Sequence, residues 1–201
     1  MFLHQLVEDV SKERGDGTHV SDVIHPLITY WSRVLPKPHT EASALFFLVG
    51  RGTHGVVEPY FGALGIEKRM EYKGIFGTVD AHDYDEVIVE IKGTRKITVR
   101  KKPDDSFIEQ LMAYCAFLNK NHGRIVTLYY APKDIVPDVT VDDVFFTDEE
   151  LNIARKQLEL NALALKIALE KRDPKALTWC PVSMCTYCRW NDVCEGASRL
   201  R

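Results

Sequence analysis

Residues 77–92 have the sequence GTVDAHDYDEVIVEIK, and the predicted sheet is built around them. Residues 86–92 follow the two-residue period of a strand, in which one set of side chains is Val87, Val89 and Ile91 and the alternate set is Ile88, Glu90 and Lys92. A preceding strand at residues 77–83 is separated from it by the turn-forming segment Asp83-Tyr84-Asp85. We therefore expect the two strands to form an antiparallel hairpin.

Glu90 and Lys92 share one face of that strand, because side chains two residues apart point to the same side. Asp80 lies on the preceding strand and can approach Glu90 across the hairpin. Two carboxylates held close together repel unless a cation lies between them, and their oxygen atoms suit Mg²⁺ or Mn²⁺. Such an ion can polarise a phosphodiester and activate a water, while Lys92 orients that water or neutralises charge in the transition state. A salt-bridged surface strand has the same sequence pattern, so these residues alone leave both interpretations open.

Hydrophobic periodicity predicts the remaining elements. Helices are expected at residues 3–14, 21–31, 41–63 and 104–121, and further strands at residues 67–73, 124–131 and 139–147. Ser21 is expected to cap the second helix, and Thr147 with Glu150 forms a capping box for a last helix that ends near Arg172. This order of elements predicts a mixed α/β fold with a small sheet flanked by helices.

Composition and charge limit the classes of function. The chain has 201 residues, of which 45% are hydrophobic and 27% charged, as expected for a globular domain with a modest appendage. No apolar run is long enough for a membrane helix, and the N-terminus does not resemble a signal peptide, so we expect a cytoplasmic protein without a membrane partner. A net charge of −3 argues against a protein that coats nucleic acid, but not against an enzyme that acts on it.

A local concentration of positive charge follows the strand of Glu90 and Lys92. Its residues are Arg95, Lys96, Arg100, Lys101 and Lys102. These side chains suit either the solvated edge of a sheet or contact with the phosphates of DNA. The neighbouring carboxylate and lysine favour contact with DNA.

Four of the five cysteines form the pattern C-x4-C-x2-C-x5-C near the C-terminus: Cys180, Cys185, Cys188 and Cys194. In a reducing compartment such a cluster binds metal more readily than it forms disulfides. Four thiolates suit tetrahedral zinc and an iron–sulfur cluster equally well, so the spacing leaves the metal open. Cys115 lies in an apolar helix, and we predict that it is a buried small hydrophobic residue.

The order of these motifs resembles a known family. Its parts are His54, Asp80, Glu90-Ile91-Lys92, Gln110 with Tyr114, and the terminal C-x2-C-x5-C. Together they resemble the CRISPR-associated Cas-four family of RecB-like PD-(D/E)xK nucleases, or a stand-alone relative, over roughly residues 20–195. The resemblance implies a restriction-endonuclease-like core with a helical, cysteine-rich iron–sulfur cap formed by the two chain ends. It implies an N-terminal helical segment at 1–39, the nuclease core at 40–146, and a C-terminal helix and cysteine cluster at 147–201.

The resemblance also implies roles for individual residues. The metal ligands would be His54, Asp80, Glu90 and the carbonyl of Ile91. Lys92 would be essential for cleavage, and Gln110 and Tyr114 would support the site and the DNA. The implied activity is Mg²⁺- or Mn²⁺-dependent cleavage of single-stranded DNA, by exonuclease or endonuclease action. The implied setting is the processing of prespacers beside a CRISPR integrase, or DNA repair and recombination.

One position departs from the family pattern. In the family, three C-terminal cysteines and one N-terminal cysteine hold an iron–sulfur cluster, but this sequence has His25 where that N-terminal cysteine is expected. Cys180 and His25 are both candidates for the fourth ligand, and Cys180 is favoured because thiolate is the commoner ligand. We expect [4Fe-4S] in preference to [2Fe-2S], with zinc as the alternative. A second hypothesis for the whole protein is a non-catalytic module that bears zinc or a cluster and binds nucleic acid or a partner.

Overall fold

A computed structural model of the chain describes residues 17–57, 66–82, 87–94, 99, 102–130, 138–177, 180–185 and 188–194. The helix predicted at residues 3–14 lies outside them. The helices are α1 (Val20–Ile24), α2 (Pro26–Val34), α3 (Glu41–Val57), α4 (Asp105–Leu118), α5 (Asp148–Lys171) and α6 (Val182–Cys185). The strands are β1 (Thr18–His19), β2 (Ile66–Tyr72), β3 (Ile75–His82), β4 (Ile88–Thr94), β5 (His122–Tyr129) and β6 (Asp138–Phe145).

The six strands form one mixed sheet, as the order of elements predicted. Antiparallel pairs join β2 to β3, β3 to β4 and β5 to β6, whereas β4 and β5 are parallel and are connected through α4. β2 follows one edge of β3 along nearly its whole length. The other edge of β3 is shared by β1, which pairs with Ile75 and Phe76, and by β4, which pairs with Ala81 and His82. A gap therefore opens beside residues 77–80 within the described part of the sheet.

The helical segment predicted at residues 21–31 is divided in two at Pro26. α1 begins after His19, whose backbone N–H donates to Asp22 Oδ2 at 2.9 Å, so the expectation that Ser21 caps the helix is wrong. His25 has φ −124° and ψ 62°, outside the helical region, because a following proline disfavours helical backbone. Pro26 then occupies the first position of α2, where the missing N–H is harmless.

Helices cover both faces of the sheet. Leu111 of α4 packs against Gly123 and Ile125 of β5 and against Ile88 of β4. The alternate side chains of β4 and β5 form a second cluster together with Ala81 of β3, and Val57 of α3 packs against it: Val89, Ile91, Val126 and Leu128. Because side chains alternate along a strand, the sheet separates these two layers.

The long helix α5 joins the N-terminal helices to the core. Its capping box is present, since Glu150 N donates to Thr147 Oγ1 at 3.2 Å and Thr147 N donates to Glu150 Oε2 at 2.7 Å. Buried Asn161 donates from Nδ2 to the carbonyl of Val23 at 2.8 Å, which satisfies a carbonyl at the end of α1. A separate apolar cluster fixes α2 to α5 and to the segment after it: Leu27, Tyr30, Leu165, Ala168 and Leu177.

The close packing of α4 on β5 predicts a steric response at Gly123. A methyl group there would lie 2.7 Å from Cδ1 of the fully buried Leu111. We expect Gly123→Ala to lower the free energy of unfolding by about 1–3 kcal/mol, measured by urea denaturation. The control is Gly52→Ala in α3, where an added methyl meets no atom within 4 Å. This change should raise stability by about 0.5–1 kcal/mol, because alanine is the better helix former. Equal stability of the two variants would contradict the packing.

Candidate active site

Asp80 marks the point where β3 and β4 part. The backbone pairs of these strands are Ala81 with Val89 and His82 with Ile88, and the ladder ends there. The next amide on that side, Ile91 N–H, donates instead to Asp80 Oδ2 at 2.7 Å. The predicted approach of Asp80 to the Glu90 strand is therefore confirmed. One oxygen of the carboxylate ties the strands together, and the carboxylate lies at the gap in the sheet.

Glu90 is a buried carboxylate with an incomplete set of partners. Its side chain is only 1% exposed. Lys92 Nζ forms an ion pair with Oε1, which confirms that the two side chains share a face. Neither carboxylate oxygen accepts a well-aligned hydrogen bond from the residues that the structure describes. Burial raises the pKa of Glu90 to about 7, with a smaller rise from the charge of Asp80 and an opposing effect from Lys92.

Helix α4 holds Lys92 in place through Gln110 and Tyr114, the two residues predicted to support the site. Lys92 Nζ donates to Gln110 Oε1 at 3.0 Å, and Gln110 Nε2 donates to the hydroxyl of Tyr114 at 2.9 Å. The Tyr114 ring lies against Gly77, where a methyl group would be 2.9 Å from ring atom Cε1. Phe107 adds an aromatic face 5.7 Å from the Lys92 ammonium, a contact that no sequence spacing had indicated.

His54 reaches the same place from the opposite helix layer. It lies near the end of α3 and is partly exposed, and its Nδ1 is 3.4 Å from Asp80 Oδ1. The two oxygens of Asp80 thus have different neighbours, the imidazole on one side and the Ile91 amide on the other. Residues from α3, β3, β4 and α4 meet at this point.

The donors at this site suit a hard divalent ion. An imidazole and two carboxylates are ligands that Mg²⁺ and Mn²⁺ accept, and a cation would relieve the repulsion between Asp80 and Glu90. The buried oxygens of Glu90 that lack aligned donors are the structural observation that fits such an ion. Within the described ranges, no three His, Cys, Asp or Glu side chains are already grouped as a finished metal site, here or at the cysteines.

The four C-terminal cysteines interact electrostatically, and one of them, Cys180, lies beside Ile28 at the start of α2. The pKa of Cys180 is raised to about 11, mainly by burial and to a smaller extent by the nearby thiols of Cys185, Cys188 and Cys194, while the backbone of Ile28 in the first turn of α2 opposes the rise. Cys180 and Cys194 pack against the apolar cluster that joins α2 to α5. His25 immediately precedes α2, and burial lowers its pKa, so the imidazole is neutral near pH 7. The cysteines and the His25 end of α2 therefore belong to one region of the fold.

A set of hydrogen bonds ties the cysteine loop to the linker between α2 and α3. Lys37 Nζ donates to Asp192 Oδ1 at 2.7 Å and to the Arg189 carbonyl at 2.9 Å. In return, Arg189 Nη1 donates to the Lys37 carbonyl at 2.8 Å. Trp190 Nε1 donates to the Leu35 carbonyl at 2.8 Å. The loop that contains Cys188 and Cys194 is thus held across about 150 residues of sequence separation.

The remaining candidate residues have simpler outcomes. Of the proposed DNA contacts, Arg95, Lys96, Arg100 and Lys101 lie outside the described residues. Lys102 is exposed, 3.5 Å from Asp105. Cys115 is fully buried and its pKa is raised to about 12 by burial, which confirms the prediction of a buried hydrophobic residue. In the described parts of the chain, no helix combines the length and apolarity of a membrane span.

The fold and this site define an α/β protein of the nuclease class. A family model described as the PD-(D/E)XK nuclease superfamily matches residues 2–195. The chain therefore belongs to the PD-(D/E)XK nuclease superfamily.

Comparison with solved structures shows the same fold. The crystal structure of SSO0001 is similar with a TM-score of 0.60 and 17% identity, covering 96% of this chain and 93% of that one. The alkaline exonuclease LHK-Exo from Laribacter hongkongensis is similar with a TM-score of 0.51 and 13% identity, covering 86% of this chain and 97% of that one. At these identities the likeness concerns the fold. No curated protein sequence matches the chain significantly.

The raised pKa of Glu90 predicts how stability depends on pH when no divalent ion is present. The pKa of this carboxyl group is about 7 in the folded protein and 4.5 in the unfolded chain. Protonation of Glu90 therefore favours the folded state fully below pH 4.5, and this stabilisation is lost as the pH rises through 7. The loss amounts to about 3 kcal/mol. We expect Glu90→Gln to flatten the fall in unfolding free energy between pH 5 and about pH 8, measured by urea denaturation with a chelator present.

The matched control for this titration is the exposed Glu170 of α5. Glu170→Gln should keep the pH dependence of the wild-type protein, because an exposed carboxylate loses little hydration on folding. A wild-type slope that persists in Glu90→Gln would contradict the assignment to the buried carboxylate.

Proposed function

We propose that the protein is a DNA nuclease that uses Mg²⁺ or Mn²⁺ and prefers single-stranded DNA, by exonuclease or endonuclease action. The observation that carries this proposal is the buried Glu90 carboxylate, which Lys92 contacts and which lies beside Asp80 and His54. A salt bridge that served only stability would gain nothing from a second carboxylate nearby. A site for a cation and a phosphate requires such an arrangement.

The divalent ion would be held by His54, Asp80, Glu90 and the carbonyl of Ile91. When bound, it would supply a more acidic water and neutralise charge on the phosphate. Lys92 keeps its ammonium at the site through Glu90 and Gln110, where it can stabilise the negative charge that develops on the phosphate oxygens. Gln110 and Tyr114 fix the direction of the lysine, because each is the hydrogen-bond partner of the next.

The basic residues after β4 are proposed to guide the DNA backbone into the site. They are Arg95, Lys96, Arg100, Lys101 and Lys102. The nearness of this run to Lys92 in the sequence supports the proposal, because a strand carrying the reacting groups leads directly into it. Contacts of this kind are to phosphates and would not select a base sequence.

The cysteines are proposed to bind an iron–sulfur cluster, [4Fe-4S] in preference to [2Fe-2S], with zinc as the alternative. Cys180, Cys185, Cys188 and Cys194 would be the ligands, and His25 is the alternative to Cys180. Two observations support a role in fastening the chain. Cys180, beside the start of α2, lies within electrostatic range of the other three thiols, and the loop that contains Cys188 and Cys194 is bonded to the linker before α3. The cluster would then hold the N-terminal helices against the C-terminal segment.

The biological setting is proposed from the order of the motifs alone. The series His54, Asp80, Glu90-Ile91-Lys92 and Gln110 with Tyr114, followed by C-x2-C-x5-C, favours the trimming of single-stranded prespacer ends beside a CRISPR integrase. Processing of DNA ends in repair or recombination fits the same chemistry.

The nuclease proposal predicts loss of cleavage on changing single residues. With Mg²⁺ or Mn²⁺ and end-labelled single-stranded DNA, we expect Glu90→Gln and Lys92→Ala each to reduce the cleavage rate by at least about 100-fold. Lys156→Ala, at an exposed position of α5, should cleave like the wild type. Wild-type rates in either site variant would show that the reaction takes place elsewhere. Tight DNA binding by the wild-type protein without cleavage under any divalent ion would favour the non-catalytic binding module.

The cluster proposal predicts a coloured protein. We expect protein purified without oxygen to show visible absorption and to contain iron and sulfide, and Cys180→Ala to lose both. His25→Ala and Cys115→Ala should keep the colour, because neither residue belongs to the favoured ligand set. Colour that is lost in His25→Ala and kept in Cys180→Ala would assign the fourth ligand to the histidine. Purified protein that contains zinc and no iron would contradict the iron–sulfur cluster and support zinc, the alternative metal.

A further inference from the structure

Few of the described side chains in the helix that carries His54 are buried. Among the α3 side chains that the structure describes, only Ala44 and Thr53 are buried. Four apolar side chains of the same helix are 41–46% exposed: Leu45, Phe47, Leu48 and Val49. Thr53 directly precedes His54, so whatever holds Thr53 in place also determines where the imidazole lies.

Thr53 contacts Tyr130, which directly follows β5 and packs in the same apolar layer as Val57 of α3. Thr53 Oγ1 donates its proton to the Val49 carbonyl at 2.8 Å, one turn earlier in α3. The same oxygen atom contacts the hydroxyl of Tyr130. Because a threonine hydroxyl has a single proton, Tyr130 is the donor in this second hydrogen bond. Burial raises the pKa of Tyr130, so the phenol keeps the proton that it donates.

Tyr130 is itself fixed to the strand that carries Glu90 and Lys92. Its backbone N–H donates to the carbonyl of Thr94 at 2.8 Å. Its ring covers Gly93, where a methyl group would lie 2.9 Å from ring atom Cε2, so only glycine admits the ring there. Gly93 and Thr94 directly follow Lys92. The tyrosine thus connects the strand of the reacting groups to the helix of the histidine.

We propose that Tyr130 is a positioning residue for the divalent ion. Through Thr53 it sets the separation between His54 on α3 and the carboxylates of Asp80 and Glu90 on the sheet. This inference rests on the metal site proposed above, and it adds a residue that no motif contains. Partners of this kind act on metal affinity, because they fix the direction of a ligand without touching the metal.

The test is a substitution that removes the hydroxyl donor of Tyr130 and keeps its aromatic ring. We expect Tyr130→Phe to raise the dissociation constant for Mn²⁺ by about 3- to 10-fold, measured without DNA by electron paramagnetic resonance of the free ion. The Mn²⁺ concentration for half-maximal cleavage should rise by the same factor. The cleavage rate at saturating Mn²⁺ should stay within about twofold of the wild type, because the reacting groups are unchanged.

Companion variants separate this role from general destabilisation. Thr53→Ser keeps the acceptor and should bind Mn²⁺ like the wild type, whereas Thr53→Val should match Tyr130→Phe. The double variant Thr53→Val with Tyr130→Phe should show no further loss of Mn²⁺ affinity, because both changes remove the same hydrogen bond. Tyr72→Phe removes a 2.9 Å hydrogen bond to Glu159, outside the site, and should leave Mn²⁺ binding unchanged.

Failure of the inference and failure of the proposed function give different results. If Asp80→Asn binds Mn²⁺ as well as the wild type, the proposed metal site is wrong. If Asp80→Asn loses Mn²⁺ while Tyr130→Phe and Thr53→Val bind it normally, the metal site stands and the positioning role is overturned. Additive losses in the double variant would also overturn it, because the two residues would then act separately.

Discussion

Burial of the Glu90 carboxylate is the constraint on which the site depends, because a charged group deprived of water must find a partner or take up a proton. Lys92 supplies part of that compensation from the same face of β4, and Asp80 works against it from the end of β3. The two carboxylates are therefore an electrostatically unfavourable pair. A divalent ion between them would relieve the repulsion, so the proposed affinity for the ion would have the same cause as the raised pKa of Glu90. Gln110 and Tyr114 add to this, because their hydrogen bonds favour the orientation in which the lysine faces Glu90.

The second organising feature is the way distant segments are tied to this core. α5 connects α1 through the Asn161 side chain and connects α2 through an apolar cluster, and the cysteine loop is bonded to the linker that leads into α3. α3 then carries His54 to Asp80. A physical path thus runs from the proposed cluster to a proposed metal ligand, although the two sites share no residue. A cluster that fastens the chain ends would therefore also support the geometry of the nuclease site.

Much of the fold could be predicted because it depends on local patterns. The alternation along β4 and the capping box of Thr147 with Glu150 each act over a few residues, and both are present in the structure, whereas the predicted turn segment at residues 83–85 lies outside the described residues. The errors arose where two local signals competed. A hydrophobic helical pattern runs through residues 21–31, but the first helix begins at Val20 with His19 as its N-cap, and Pro26 begins a separate helix. The parallel pairing of β4 with β5 was also missed, since strand periodicity does not reveal which strand is the neighbour.

The sequence by itself determined which chemical groups the site contains, and it determined that Glu90 and Lys92 share a face, because a strand's two-residue period needs no tertiary information. The match of residues 2–195 to the family model likewise assigns the chain to the PD-(D/E)XK nuclease superfamily from its sequence alone. Three contacts depend instead on the packing of the fold: Asp80 accepts a hydrogen bond from the Ile91 amide, His54 Nδ1 lies 3.4 Å from Asp80 Oδ1, and Tyr130 contacts Thr53. These contacts join residues on different elements. Their distances are set by how helices pack on the sheet and where two strands part, and no spacing along the chain records either.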